Sequence, residues 1–170
     1  MNRRFAMGTM CASPLVLTAC GSAPVKTFPT LAAAMRAIES LAGGHKLASG
    51  WSLSQMLNHA AQSVEFSLYG FPDMKSAAFR GTLGSAAFAW FDSRGAMSHG
   101  LEEPIPGAPA LAADDPLPAA IARALKALRD FEAHTGALAP HFAYGALDKP
   151  RYTRAHLMHL ANHWSQVTTA

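Results

Sequence analysis

The sequence predicts an all-α fold, an up-down helix bundle of about five helical segments with one long connection. Three observations predict it. Apolar residues recur at helical spacing in segment after segment from Thr30 onward, with no convincing strand and no βαβ alternation between them. The 170 residues are 50% hydrophobic and 15% charged, which suits one domain with a real core. A proline- and glycine-rich stretch from Ser98 to Asp115 interrupts the series and is too long to be a simple turn.

The first helix is expected from about Thr30 to Ala42, with Leu31, Ala34, Met35, Ile38 and Leu41 on one face and Gly43-Gly44 as its stop. The second carries the clearest punctuation. Ser52 and Gln55 read as a capping box, flanked by Trp51 and Met56 at the hydrophobic-staple positions, and Gly70 and Pro72 end the run. The third, roughly Lys75 to Phe91, holds Gly81 and Gly84, which predict a kink or a close contact. A loop as long as Ser98 to Asp115 suits a lid or a crossover. The fourth helix is expected to start at Asp115 as N-cap with Pro116 in the first position, and to close at Gly136. The fifth begins near Asp148 and Pro150.

The beginning of the chain is of a different kind. Asn2-Arg3-Arg4, a weakly apolar run from Phe5 to Leu17 and the small residues around Cys20 predict a signal peptide over residues 1–19. Leu17-Thr18-Ala19-Cys20 resembles the bacterial lipobox, in which the cysteine is acylated and becomes the mature N-terminus. The expected product is an envelope protein, periplasm-facing, anchored by lipid at Cys20 after cleavage there. A flexible tether over 20–28 and a helical domain over 29–170 follow. Arg3-Arg4 meets Phe5 directly, which leaves the export route open between the general and the twin-arginine pathways.

Setting that leader aside changes the charge and the cysteine chemistry. The formal charge of +3 includes Arg3 and Arg4, and without them 12 basic residues face 11 acidic ones. A nucleic-acid partner is therefore not expected. Cys11 falls in the leader and Cys20 carries lipid, so the domain keeps no thiol for nucleophilic catalysis, a disulfide or a cysteine-type zinc site. No nucleophile elbow, H-E-x-x-H or P-loop motif is found in the sequence.

What chemistry remains lies in histidine. His156, His159 and His163 fall within an arc of about 60° on the last helix, at 100° per residue. Their stripe also holds Tyr152, Ala155, Gln166 and Val167, and so faces the bundle interior. Three buried imidazoles without partners would cost several kcal/mol, roughly, in unmet hydrogen bonding. A metal ion or a ring of polar partners must offset that, and the pattern favours metal. A further ligand should come from a facing helix, and His59, on the shoulder of the second helix's apolar face, is the candidate.

Trp51-Ser52 leading to Leu57-Asn58-His59, together with His159-Leu160-Ala161-Asn162-His163-Trp164-Ser165-Gln166, resembles the DinB/YfiT-like superfamily of metal-binding helix bundles. Within it the chain is most similar to an uncharacterised branch, domain of unknown function 1569, through His141-Phe142-Ala143-Tyr144-Gly145 and the additional His156. The resemblance covers roughly residues 30 to 168. It implies a DinB-like four-helix bundle with His59, His159 and His163 as ligands to a divalent metal ion, zinc or nickel foremost. It also implies a metal-dependent enzyme of hydrolase or transferase type acting on a small molecule or thiol, with a non-catalytic metal- or ligand-binding envelope lipoprotein as the alternative. Relatives commonly place an arginine after the last ligand, where this chain has Trp164 and Ser165, so a role carried by that arginine is not expected.

His156 is then either a fourth ligand, which would close the site, or a catalytic acid/base beside it, the reading preferred. His141, Tyr144 and Gln166 are expected at the pocket mouth or behind the ligands. His45, His99 and His134 show no partner pattern and read as surface histidines, while Glu65, Glu102 and Glu103 are bases that no pattern positions. The membrane is expected to be met through the N-terminal lipid only, and a homodimer is left open.

Overall fold

The computed structural model describes residues 26–169. The leader, Cys20 and the tether up to Val25 lie outside the described residues. Helix α1, Leu31–Ser40, is capped by Thr30, whose hydroxyl accepts from the Ala33 amide at 3.0 Å, and buries Leu31, Ala34 and Ile38. A short 3-10 turn, Leu41–Gly43, continues it to Gly44, whose φ of 86° ends the run.

Two strands follow that the sequence did not suggest. β1, His45–Leu47, pairs antiparallel with β2, Val167–Thr169, in the register His45–Thr169, Lys46–Thr168, Leu47–Val167. Three residues are too few to display alternation, and the partners come from opposite ends of the chain. No local pattern could have shown them.

Helix α2, Leu53–Tyr69, is the central element, and both halves of its capping box form: the Gln55 amide donates to Ser52 Oγ at 3.2 Å and the Ser52 amide to Gln55 Oε1 at 2.9 Å. Helix α3, Ala77–Phe79, runs through a π-helical segment, Arg80–Gly84, into α4, Ser85–Arg94. The expected irregularity at Gly81 and Gly84 is this segment. The close contact is with a loop: a Cβ on Gly84 would collide with the Ala143 carbonyl oxygen.

Helix α5, Leu117–Ala133, begins one residue later than an Asp115 cap predicts. Pro116 occupies the N-cap, and the Asp115 carboxylate accepts instead from Asn58 Nδ2 of α2 at 2.9 Å. A side chain engaged across the fold cannot also cap its own helix. Helix α6, Lys149–Trp164, begins near Asp148 as expected and is capped by it, the carboxylate accepting from the Arg151 amide at 2.8 Å.

The helices form an all-α bundle with its most extensive pairing between α2 and α5, while α6 packs on α1, α2 and α4. Phe131, Ile38, Leu41, Met56, Leu57, Met158 and Tyr152 form its fully buried centre. The long loop between α4 and α5 is pinned to α2 by a polar row at helical spacing. Gln55 Nε2 donates to the Leu111 carbonyl (3.2 Å), Asn58 to Asp115, and Gln62 Nε2 to the Pro109 carbonyl (2.9 Å). Ile105 and Met97 bury the loop's own apolar side chains.

Candidate metal centre

The antiparallel approach of α2 and α6 decides where the histidines meet. His59 sits near the middle of α2 and is 3% exposed; His163 lies in the last turn of α6 and is 1% exposed; His159, one turn earlier, is partly exposed. His159 Nε2 stands 3.0 Å from His59 Nε2 and 3.1 Å from His163 Nε2. All three ring pairs have centroids 4.9 Å apart. Among the described residues these are the one group of His, Cys, Asp or Glu whose ligand atoms converge, all within 4.8 Å of one another.

Burial keeps these rings neutral. It is the largest cause that pushes His59 down to about 4, with His99 adding to it, and His163 down to about 3, with His59 and His99 adding. His159 is held well below its ordinary value by burial first, then by His59, His163, His99 and His156. A neutral ring nitrogen carries either one proton or one lone pair. His159 Nε2 therefore cannot make a full hydrogen bond with both neighbours at once. One cation can satisfy all three lone pairs. At metal–nitrogen distances of about 2.0–2.1 Å and angles between right and tetrahedral, ligand nitrogens sit roughly 2.9–3.4 Å apart, which matches the two spacings from His159 Nε2 to His59 and His163. The donor set fits a divalent ion. Ligating histidines usually donate their other ring nitrogen to a protein acceptor. His59 departs from that, because its Nδ1 is buried with no partner among the described residues.

Trp51, expected as half of the staple, lies over the cluster: its ring is 5.0 Å from that of His59 and stacks on His163 at 6.2 Å and 11°. A cavity of about 130 Å³ opens beside His59 and His159, with Ser63, Glu103, Ile105, Tyr144 and His156 among its walls. Both Glu103 and Ile105 come from the long loop.

His156 is buried and faces elsewhere than the three converging nitrogens. Its Nε2 lies 3.1 Å from Ser67 Oγ, and the ring stacks on Tyr152 (5.4 Å, 21°) and meets Phe131 edge-on. Ser67 spends its hydroxyl proton on the Val64 carbonyl at 2.6 Å, so His156 Nε2 donates to Ser67 and Nδ1 keeps the lone pair. Burial holds this imidazole down at about 3.

His141 and Tyr144 also line the cavity. His141 Nδ1 accepts from the amides of Ala143 and Tyr144 at 3.1 and 3.2 Å, inside a tight loop closed by the His141–Gly145 bridge. The Tyr144 ring stacks on His141 at 4.2 Å and 7°, and burial pushes its phenol up to about 12. Gln166 lies in the turn after α6; its carbonyl accepts from the Ala48 amide, and it is not among the cavity's lining residues. Glu65 is held by Arg123 through two hydrogen bonds of 3.0 and 2.8 Å, away from the cluster.

Sequence reasoning missed His99. Its ring, expected in solvent, stands 4.9 Å from that of His159 and 5.2 Å from that of His163. A histidine in a loop without periodicity carries no signal of the face it meets.

The model of a family described as "Protein of unknown function (DUF1569)" matches residues 25–170 of the chain. No curated protein and no solved structure matches it.

Proposed function

The chain belongs to the DUF1569 family of proteins of unknown function, and from that premise we propose that it is a DinB-like metal-binding protein holding one divalent ion, zinc or nickel, on His59, His159 and His163. The observation that carries the reading is the convergence of three neutral Nε2 atoms from two helices whose sequence positions are about a hundred residues apart. The chemistry such a centre supplies when loaded is Lewis acidity toward an oxygen or sulfur of a small substrate. That supports a metal-dependent hydrolase or transferase. The protein's own groups would do the rest: Tyr144, kept protonated, offers an O–H donor in the cavity, and His156 Nδ1 offers an acceptor. With burial holding His156 near 3, its part is to orient a substrate's O–H or N–H more than to carry a proton at neutral pH.

The second reading, metal binding without turnover, is favoured by the ring of His99 beside His159 and His163, because a fourth imidazole would close the site. The lipobox-like Leu17-Thr18-Ala19-Cys20 supports export and a lipid anchor at Cys20 in either case.

Elemental analysis of the purified full chain tests the site. About one metal ion per chain is expected, with near-complete loss in a His159→Ala, His163→Ala double variant. Equal metal content in the two proteins would remove the centre.

A further inference from the structure

His99 lies in the loop that follows α4, four residues past Gly95. Three features of its surroundings bear on the three-histidine cluster. First, its Nδ1 lies 2.9 Å from the carbonyl oxygen of Gly100, which can only accept. Nδ1 therefore carries the proton, and in the neutral ring the lone pair is on Nε2. Second, that Nε2 is buried and has no hydrogen-bond partner among the described residues. Third, the ring is 4.9 and 5.2 Å from those of His159 and His163, while the three clustered rings are 4.9 Å from each other. Four imidazoles around one ion would have ring centroids about 5 Å apart; the His99 ring keeps that spacing to two of the three, while its ligand nitrogen stands outside the group that converges within 4.8 Å and reaches the ion by a small shift of the loop.

The backbone at His99 is held by the ligand helix as well. Asn162, between His159 and His163 in sequence, donates through Nδ2 to the His99 carbonyl at 3.3 Å. An imidazole whose Nδ1–H is fixed on a backbone carbonyl, with its Nε2 lone pair otherwise unused, is the arrangement that orients metal-ligating histidines. His156 lacks it, since its Nε2 is committed to Ser67.

We infer that His99 is the fourth ligand of this centre, a donor carried on the loop between α4 and α5 that binds the same divalent ion through Nε2. The inference rests on the three-histidine reading and adds to it that the loop and the metal hold each other. It makes the centre one that an incoming substrate or anion enters by displacing a loop ligand, with Glu103 and Ile105 of the same loop moving with it.

Cobalt(II), bound to the purified full chain, is the probe. X-ray absorption of the wild-type cobalt protein should count four imidazoles, and a count of three overturns the inference without any mutation. His99→Ala and His99→Gln should each weaken cobalt affinity about tenfold or more, change the visible d–d spectrum, and make that spectrum respond to azide at concentrations too low to displace the loop ligand of the wild type. His134→Ala, a control at a half-buried histidine outside the cluster, should behave as wild type. If both His99 variants keep wild-type affinity and spectrum while the His159→Ala, His163→Ala protein loses cobalt, the three-ligand centre stands and the fourth ligand falls. If the wild type takes up no cobalt, both fall.

Discussion

At the scale of the residue, the centre is a set of imidazoles kept neutral by burial, and this has a consequence for stability. Unfolded histidines take up a proton near 6.5, whereas His59 resists until about 4, and His141, His156 and His163 until about 3. Between those limits the unfolded chain binds more protons than the folded one. Their contribution is therefore fully present above about pH 6.5 and is lost as pH falls toward 4 and 3, by about 1.4 kcal/mol per pH unit for each such ring. Chelator-treated protein should show a melting temperature that drops steadily from pH 6.5 to 4.5; one that stays flat over this range would contradict the burial argument. The converging histidines were legible in the sequence because helical spacing fixes direction: His159 and His163 are one turn apart, and a partner was sought on a facing helix. His99 was not, since a loop residue's orientation is set by tertiary contacts such as that from Asn162. Nor was the part played by Trp51, whose local role as a staple residue masked the stacking on His163.

At the scale of the element, the π-helical segment between α3 and α4 ties the outer helix to the loop that carries His141 and Tyr144. Gly84 is buried and stands directly against the Ala143 carbonyl, while a Cβ on Gly81 would meet nothing within 4 Å. Gly84→Ala should thus destabilise the protein by about 2 kcal/mol through overpacking and push the His141–Gly145 loop off the helix. Gly81→Ala should be neutral or slightly stabilising, since it removes a glycine from a helix without a clash. Thermal melts of the pair, with near-ultraviolet circular dichroism to follow Tyr144, separate the two; equal melting temperatures would show that the close approach does not matter. The helices themselves could be read from periodicity and punctuation: the starts near Thr30 and Asp148 and the Ser52–Gln55 box all hold, and Thr30 and Asp148 prove to be caps. The reading failed where an end is set by a distant partner. Asp115 is drawn to Asn58, and β1 exists only because β2 lies beside it.

At the scale of the whole molecule, the two ends of the domain meet near the centre. β2 leaves the last turn of α6 just after His163 and pairs with β1, which leads through Trp51 into α2 and His59, so one short ribbon joins the ends of the histidine-bearing helices. Phe28 is buried at the same place, its ring edge-on to Trp164 at 5.4 Å. If Cys20 carries lipid, eight residues separate the anchor from Phe28, a reach of at most about 26–29 Å in a fully extended chain. The end of the bundle bearing His163 would then be held within roughly that distance of the bilayer surface, and a small substrate would be met there and not deep in the periplasm. The expected outcome in a bacterial host is incorporation of a palmitate analogue and recovery in the membrane fraction, both lost in Cys20→Ser. That variant should keep its full metal content, because the centre is built entirely within the helices and the loop beyond the tether. Wild-type protein that is recovered soluble and unlabelled would end the anchoring proposal and leave the metal centre untouched.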